Sequence, residues 1–417
     1  MLENYTIDGF ENIQYQGYHA LRKIEDSLSR LFTLYGYQPI STPTFESYDL
    51  YAAENSIPSD DLFKLVDHRG RVLALKPDAT LPVTRMAAIN HQDPETTVKL
   101  FYRTNIYRNF GASEMVKKEL TQMGIEYFGS RSPECDGEII ALAIESLITS
   151  GIDDVQIDLG HVGFINHLLE ELSLSELQKN QLFRFIEHKN IGDIDDFIAR
   201  NDIEPRIAKI LRRLPKLYGD PADVFARMET LCVNPKMEAV VTELKAIYDH
   251  LKAIGCGSRI SFDLGFTNQM NYYSGIIFKG YIGGWGQSVL SGGRYDHLSA
   301  KFGIDRPACG FGLDLLTMMD YLEQRRLLPE ADNARAVLLY AASVKAEAYA
   351  LGKRLRGAGI PTELFVLRED AHTQATRLKK NALYKNARFY LVDDSGQFCL
   401  TAGDKIPTDS IFTKEVH

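Results

Sequence analysis

The most informative segment of this 417-residue chain reads Gln122-Met123-Gly124-Ile125-Glu126-Tyr127-Phe128-Gly129. Its apolar and aromatic residues, and the glycine that follows them, predict a β-strand over residues 124–128. Side chains of a strand alternate between its two faces, so Gln122 and Glu126, four residues apart, point to the same face. The segment therefore places two polar side chains side by side on a sheet.

Other polar residues could complete a site around this pair. Arg108 follows a strand predicted over residues 98–103. A carboxylate would bind the arginine, and an ammonium or ring N–H would bind the acids, so a small zwitterion is the expected ligand. Spacing alone favours the simpler interpretation, ordinary surface and sheet-edge residues. The candidate ligand-binding residues are Asp78, Thr80, Arg108, Gln122, Glu126, Tyr272 and Tyr273.

The first part of the chain mixes helices and strands without a strict βαβ repeat. Apolar residues at helical spacing predict a helix from Tyr15 to Tyr35, and Gly36 supplies its end. Residues 63–66 and 72–75 flank a turn-like segment, which predicts a hairpin. A helix containing Ile140, Ile144 and Leu147 follows and ends at Gly151.

The middle of the chain, residues 164–254, is almost purely helical and reads as an insertion. Strand patterns return at residues 260–264 and continue to Phe278, whereas the stretch from Cys309 to Arg325 is predicted to be helical. We therefore expect a core of residues 1–163 and 256–328, a helical insertion of residues 164–255, and a small α/β domain of residues 334–417. In that last domain we predict strands at 336–342, 362–366 and 388–392 and helices at 344–356 and 373–385.

Composition excludes several classes of protein. Fifty-six acidic against 47 basic residues give a net charge of −9, which argues against a surface devoted to phosphate backbones. The five cysteines are widely separated and form no CxxC pair, so we expect neither a disulfide framework nor a zinc site. This cysteine usage, without a secretory signal or a span long enough to cross a membrane, favours the cytoplasm.

Motifs for metal, cofactor and nucleophilic chemistry are missing from the sequence. No HExxH, GxSxG or Walker spacing occurs, so we expect no metal and no cofactor. His161 and His167 are interpreted as structural residues, Gly292-Gly293-Arg294 as a tight turn rather than a phosphate loop, and Trp285 as a packing anchor in a hairpin.

Five blocks of the sequence, in order, resemble the signature blocks of class II histidyl-tRNA synthetases, over about residues 10–325. They are residues 75–80, 101–129, 271–278, 291–296 and 310–314. The resemblance implies an α+β fold with an antiparallel sheet of six or seven strands flanked by helices. It also implies a helical insertion and a homodimer formed through the N-terminal motif.

The sequence departs from those synthetases where they hold ATP. The acid that reads adenine is replaced by Phe110, the phosphate-binding arginine of the third motif by Leu315, and the catalytic arginine before the tyrosine pair by Asn268. The acid next to the tyrosines falls at Asn271, and the usually arginine-rich loop reads Val116-Lys117-Lys118. Each lost guanidinium contact is worth about 1.5–3 kcal/mol, so a working adenylation site is not expected.

This combination resembles the regulatory subunits of ATP phosphoribosyltransferase, a synthetase-like family. The resemblance implies a subunit without catalytic residues that self-associates as a dimer and pairs with a short-form catalytic subunit in a hetero-octamer. It also implies feedback inhibition by histidine, bound either in the inherited pocket or at a subunit interface. The alternatives are a divergent histidyl-tRNA synthetase and a paralogue that binds an amino acid or a tRNA-like partner.

Binding of tRNA is not expected of this chain. Residues 334–417 are short for a synthetase anticodon-binding domain. Lys379, Lys380 and Lys385 are spaced along one predicted helix, a pattern more typical of a solvated face than of a tRNA-binding patch.

Overall fold

The computed structural model describes residues 7–52, 57–109, 117–266, 272–329, 335–381, 384, 386–400 and 405–407. The chain divides into two compact units, Met1–Pro329 and Glu330–His417. Among the described residues, no helix has both the length and the apolar character needed to cross a membrane.

The first unit combines helices with a large sheet. Its helices are α1 (Tyr15–Leu34), α2 (Tyr48–Ala52), α3 (Thr80–Asn90), α4 (Pro133–Thr149), α5 (Val162–Leu169), α6 (Glu176–Glu187), α7 (Ile191–Arg200), α8 (Pro205–Leu211), α9 (Pro221–Glu229), α10 (Pro235–Ala253) and α11 (Leu315–Gln324). Its strands are β1 (Gln38–Ile40), β2 (Phe45–Ser47), β3 (Lys64–Val66), β4 (Val72–Leu75), β5 (Val98–Tyr107), β6 (Glu119–Phe128), β7 (Val155–His161), β8 (Tyr218–Gly219), β9 (Ile260–Asp263), β10 (Ile276–Ile282), β11 (Ser288–Arg294) and β12 (Ala308–Asp314).

The large sheet has the strand order β1-β5-β6-β12-β11-β10-β7-β9-β8. Its six central strands, from β5 to β7, pair antiparallel with one another. At the flanks, β1 runs parallel to β5 and β9 runs parallel to β7. The expected antiparallel core is therefore confirmed, with further strands added at its edges. A separate three-stranded sheet, β2-β4-β3, contains the predicted hairpin.

Helix α1 covers one face of the large sheet. The buried residues Leu21, Ile24, Leu28 and Phe32 recur at helical spacing, and the ring of Phe32 lies 5.7 Å from that of Phe101 on β5. The helix ends beside Gly36, whose φ of +84° suits glycine. The helix predicted over residues 15–35 is confirmed to within one residue.

The helices α5 to α10 follow one another between β7 and β9, with the short strand β8 and a 3-10 turn, Leu214–Lys216, among them. Ser175 caps α6 in a reciprocal capping box with Gln178. On α10 an apolar stripe at helical spacing is buried: Met237, Val240, Leu244, Ile247 and Leu251. These side chains belong to the same apolar cluster as the helix-covered face of the sheet.

The continuous helix predicted from Cys309 to Arg325 is wrong. Residues 308–314 form strand β12, and only residues 315–324 form a helix. Strand β12 lies between β6 and β11, and six of its seven residues are buried, so the polar alternation that reveals a strand is missing. Asp314 separates the two elements because its carboxylate accepts hydrogen bonds from the N–H groups of Leu316 and Thr317, both at 3.1 Å.

The tight turn predicted at Gly292-Gly293-Arg294 is also wrong, because these residues lie inside β11. Glycine is needed there for close packing rather than for a turn. A Cβ on Gly293 would come within 2.8 Å of the Tyr273 ring, and one on Gly292 within 2.5 Å of the Phe278 ring.

The second unit is a five-stranded sheet with the order β14-β13-β15-β16-β17. Its elements are β13 (Ala336–Tyr340), α12 (Lys345–Gly357), β14 (Thr362–Val366), α13 (Ala371–Lys379), β15 (Arg388–Asp393), β16 (Gly396–Leu400) and β17 (Lys405–Pro407). Strand β13 is parallel to both of its neighbours, and its side chains alternate between two apolar clusters. The second predicted helix starts and ends earlier than expected, and Lys385 lies outside the described residues.

Candidate ligand-binding site

A cavity of about 120 Å³ lies on the face of the sheet opposite α1. Six of the seven predicted site residues line it: Asp78, Thr80, Arg108, Gln122, Tyr272 and Tyr273. The seventh, Glu126, lies directly against two other lining residues, Tyr295 and Gly310. The structure thus brings together residues that are nearly 200 positions apart in the sequence.

Glycines on β12 make room for the two polar side chains of β6. Glu126 is paired with Gly310, and Gly124 with Gly312. A Cβ on Gly310 would collide with the carboxylate of Glu126, and a Cβ on Gly312 with the amide of Gln122. Both side chains therefore lie across the neighbouring strand; Gln122 lines the cavity, and Glu126 lies directly behind its lining residues Tyr295 and Gly310.

Glu126 is the most strongly perturbed acid of the site. Only 1% of it is exposed. Burial raises the pKa of its carboxyl to about 8, against the opposing effects of the nearby Tyr295 and Thr80 hydroxyls, and the nearby Asp78 raises it further. At neutral pH the carboxyl of the empty site is therefore mostly protonated. A cationic or N–H-donating ligand would favour its ionised form.

Two acceptor atoms of the site are buried without a hydrogen-bond partner among the described residues, Oε1 of Gln122 and Oε1 of Glu126. An unsatisfied buried polar atom costs about 1–3 kcal/mol. A ligand that donates two hydrogen bonds would recover this free energy. The cavity is thus prepared for a donor-rich ligand, such as one with an ammonium group or a protonated ring nitrogen.

The remaining predicted residues are held by backbone contacts and ring packing. Asp78 accepts a hydrogen bond from the backbone N–H of Leu81 at 2.9 Å, which fixes it at the start of α3. Arg108 donates from Nε to the carbonyl oxygen of Pro77, also at 2.9 Å. The rings of Tyr272 and Tyr273 lie 4.9 Å apart. Burial raises the pKa of both phenols, so they remain neutral.

Several lining residues were not predicted from the sequence. They are Tyr102, Phe266, Lys279, Ser291 and Tyr295. Of these residues, only Lys279 could have been singled out from the sequence, because it is the one charged residue of the strand Ile276–Ile282. The others are aromatic or small residues whose role depends on strand order.

The region expected to hold phosphates is poor in positive charge. Leu315, where the resemblance led us to expect the counterpart of a synthetase arginine, is completely buried. Lys117 forms ion pairs with Asp320 at 2.7 Å and Glu11 at 3.2 Å. A second cavity next to the first one has Arg108 as the one cation among its described lining residues, and it also contains Asp314. Phe110, Val116, Asn268 and Asn271 lie outside the described residues.

The histidines and the tryptophan have structural partners. Nδ1 of the buried His161 accepts a hydrogen bond from the N–H of Gly163 at 3.0 Å, which caps α5, and His167 lies 3.0 Å from Glu170. Trp285, in the hairpin between β10 and β11, packs edge-on against Tyr321 at 5.9 Å. The part of the chain that the structure describes contains no cluster of three potential metal ligands.

Comparison with known proteins identifies the class of fold. The family model for histidyl-tRNA synthetase matches residues 9–318. The structure also superposes on a histidyl-tRNA synthetase from Nostoc sp. PCC 7120 with a TM-score of 0.79, covering 99% of both chains at 19% identity. The protein therefore has the class II fold of histidyl-tRNA synthetases.

Curated relatives identify the family of this chain within that class of fold. The chain is 38% identical over 341 residues to an ATP phosphoribosyltransferase regulatory subunit from Oceanobacillus iheyensis, covering 80% of this chain and 82% of that one. It is 30% identical over 380 residues to one from Clostridium kluyveri, covering 90% and 97%. A structure from Bacillus halodurans C, described as an ATP phosphoribosyltransferase regulatory subunit/histidyl-tRNA synthetase, is 27% identical with a TM-score of 0.81 and covers 94% and 98%. The chain belongs to the family of ATP phosphoribosyltransferase regulatory subunits.

Proposed function

We propose that this chain is a non-catalytic subunit that activates a short-form ATP phosphoribosyltransferase and makes it sensitive to histidine. One contrast supports the proposal: the side of the cavity expected to hold the amino acid is lined by polar residues, while the described residues of the side expected to hold the nucleotide are poor in cations. Gln122 and Glu126 present buried acceptors. At the position expected for a phosphate-binding arginine the chain has Leu315, which is fully buried.

Histidine matches the polar groups of the cavity. Its ammonium and ring N–H groups are donors for Asp78, Gln122 and Glu126, and its imidazole can pack against Tyr273. The cavity wall is apolar where Phe266 packs against Ile277 and Tyr273. An aromatic amino acid with several hydrogen-bond donors would bond to the unpaired acceptors and pack its ring against this apolar wall.

Binding in the cavity would regulate the complex by shifting a conformational equilibrium. A ligand changes such an equilibrium only through different affinities for the two states. In the proposed complex, dimers of this chain associate with catalytic subunits in a hetero-octamer, and histidine favours its less active arrangement. No step of the transferase reaction takes place in this chain, and tRNA has no role in it.

Reconstitution tests the proposal. Phosphoribosyl-ATP formation from ATP and phosphoribosyl pyrophosphate is measured for the short-form catalytic subunit with and without this chain. We expect a higher rate with the chain and co-elution of the two proteins. Unchanged rate and separate elution would refute the proposal. Histidine-dependent exchange of pyrophosphate into ATP by the chain alone would instead establish a synthetase, and tight, salt-dependent tRNA binding would favour a tRNA-directed paralogue.

A further inference from the structure

Lys279 brings a positive charge to the cavity wall across the sheet from Glu126. It lies on β10, paired with Ser291 of β11 on one side and Asp158 of β7 on the other. The residue is half-buried, and its ammonium lies 4.8 Å from the centre of the Phe266 ring. The negative face of the ring attracts the ammonium electrostatically.

The strand order separates this lysine from the acid. Between Glu126 on β6 and Lys279 on β10 lie β12 and β11, so their backbones are three strand spacings apart, roughly 14 Å. The positions between them on the cavity face are Gly310, Gly312, Ser291 and Gly293. Because these residues are small or lack a side chain, the side chains of Glu126, Gln122 and Tyr273 can lie over them, toward the strand that carries Lys279.

The charge of Lys279 is not neutralised by an ion pair with any carboxylate of the described residues. The nearest candidate by register, Asp158, accepts a hydrogen bond from the hydroxyl of Ser261. Burial raises the pKa of Asp158, and the charge of Lys279 acts in the opposite direction. The ammonium of Lys279 is therefore available to an anionic group in the cavity.

Arg108 is the other cation among the described residues that line the cavity, and its Nε is already engaged. Its Nε donates to the carbonyl oxygen of Pro77, and it lines the adjoining cavity as well as this one. Of these two cavities, Lys279 lines only the first. The lysine is thus better placed to meet a group that lies across the sheet from Glu126.

We propose that Lys279 binds the carboxylate of an α-amino acid whose ammonium and ring N–H groups face Asp78, Gln122 and Glu126. Lys279 thereby makes the cavity selective for amino acids with a free carboxylate over analogues that lack it. This inference rests on the proposed function, which places histidine in the cavity, and it assigns the carboxylate to Lys279 rather than to Arg108.

Calorimetric titration of the full chain with histidine and with histamine, which lacks the carboxylate, tests the inference. We expect the wild type to prefer histidine. Lys279→Met should weaken histidine binding at least tenfold and change histamine binding less than twofold, so that the preference is lost. Lys279→Arg should restore part of it. Lys99→Met, on the opposite, helix-covered face, is the matched control and should bind both ligands like the wild type.

The outcomes separate this inference from the function on which it rests. If Lys279→Met and Lys279→Gln bind histidine as the wild type does, while Glu126→Gln binds it weakly, the role of Lys279 is refuted and the cavity remains the histidine site. If Arg108→Met rather than Lys279→Met removes the preference for histidine, the carboxylate belongs to Arg108. If the wild type does not bind histidine, or if Glu126→Gln binds it as tightly as the wild type, then both the placement of histidine in this cavity and the role of Lys279 are refuted.

Discussion

The hydroxyl of Tyr295 donates a hydrogen bond to Oε2 of Glu126, and both residues are buried, with exposed fractions of 1% each. The bond joins the loop after β11 to β6 and fixes one oxygen of the carboxyl. The other oxygen is left without a partner among the described residues. The carboxyl is thus held in place while one of its acceptors stays available to a ligand.

The pH dependence of histidine binding follows from this carboxyl. Its pKa is about 8 in the empty site, and a donor ligand prefers the ionised form. Between pH 7 and pH 8.5 the ionised fraction rises from about 0.1 to about 0.8, so affinity should rise about eightfold. Calorimetry across this range measures it. Glu126→Gln should bind weakly with no such rise; an equal rise in that variant would rule out Glu126 as the titrating group.

The same carboxyl should make the folded protein less stable as pH rises. The folded state holds this proton up to a pKa of about 8, against 4.5 as the ordinary value. Between these values the folded state binds more protons, so the free energy of unfolding falls by up to about 1.4 kcal/mol per pH unit.

Glu126→Gln should therefore raise the free energy of unfolding by about 1–3 kcal/mol at pH 8, and by less near pH 5. Denaturant unfolding at both pH values measures the difference. A variant less stable than the wild type at pH 8 would contradict the raised pKa. The gain in stability would accompany a loss of histidine affinity, because a buried carboxyl that serves ligand binding destabilises the empty folded state.

Gly312→Ala should weaken ligand binding more than it destabilises the fold. The added methyl group collides with the flexible amide of Gln122, which can rotate away from the cavity. We expect about a tenfold loss of histidine affinity and a stability change below about 1 kcal/mol. Gly286→Ala is the matched control, because no described atom lies within 4 Å of the added carbon. Equal affinities of the two variants would show that Gln122 does not contact the ligand.

A buried ion pair holds α4 to the sheet. Nη2 of Arg294 on β11 lies 2.5 Å from Oδ1 of Asp136, and the two side chains are 4% and 1% exposed. Burial raises the pKa of Asp136, against the opposing effect of the guanidinium. Asp136→Ala leaves the guanidinium without its main partner and should cost about 3–5 kcal/mol of unfolding free energy.

The exposed pair Arg200–Asp196 provides the comparison for this prediction. Its atoms are 3.2 Å apart and its side chains are 70% and 68% exposed. Asp196→Ala should change stability by less than about 0.5 kcal/mol. Urea denaturation of both variants measures the contrast, and similar losses would show that the buried pair has no special role.

Local patterns were sufficient for elements whose apolar residues are regularly spaced or form a continuous run. The apolar spacing of α1 and the glycine after it predicted that helix, and strand β13 was recognisable as a short apolar run. Strand β12 was not recognisable, because its buried residues alternate with glycines rather than with polar residues. A central strand and a buried helix segment look alike in such a pattern.

The candidate site was only partly predictable for a related reason. Gln122 and Glu126 share one strand, so their common face follows from the sequence. Lys279 lines the same cavity only because β10 is connected to β6 through β12 and β11 in the sheet. That order depends on pairing between residues far apart in the chain, which no local pattern contains.

Histidine sensitivity of the reconstituted enzyme tests the central claim most directly. Phosphoribosyl-ATP formation by the short-form catalytic subunit is measured with this chain and with its Glu126→Gln variant, over a range of histidine concentrations. We predict activation by both proteins, and inhibition by histidine that is at least tenfold weaker with the variant. Activation without histidine inhibition, or identical inhibition with both proteins, would contradict the claim that this cavity regulates the enzyme.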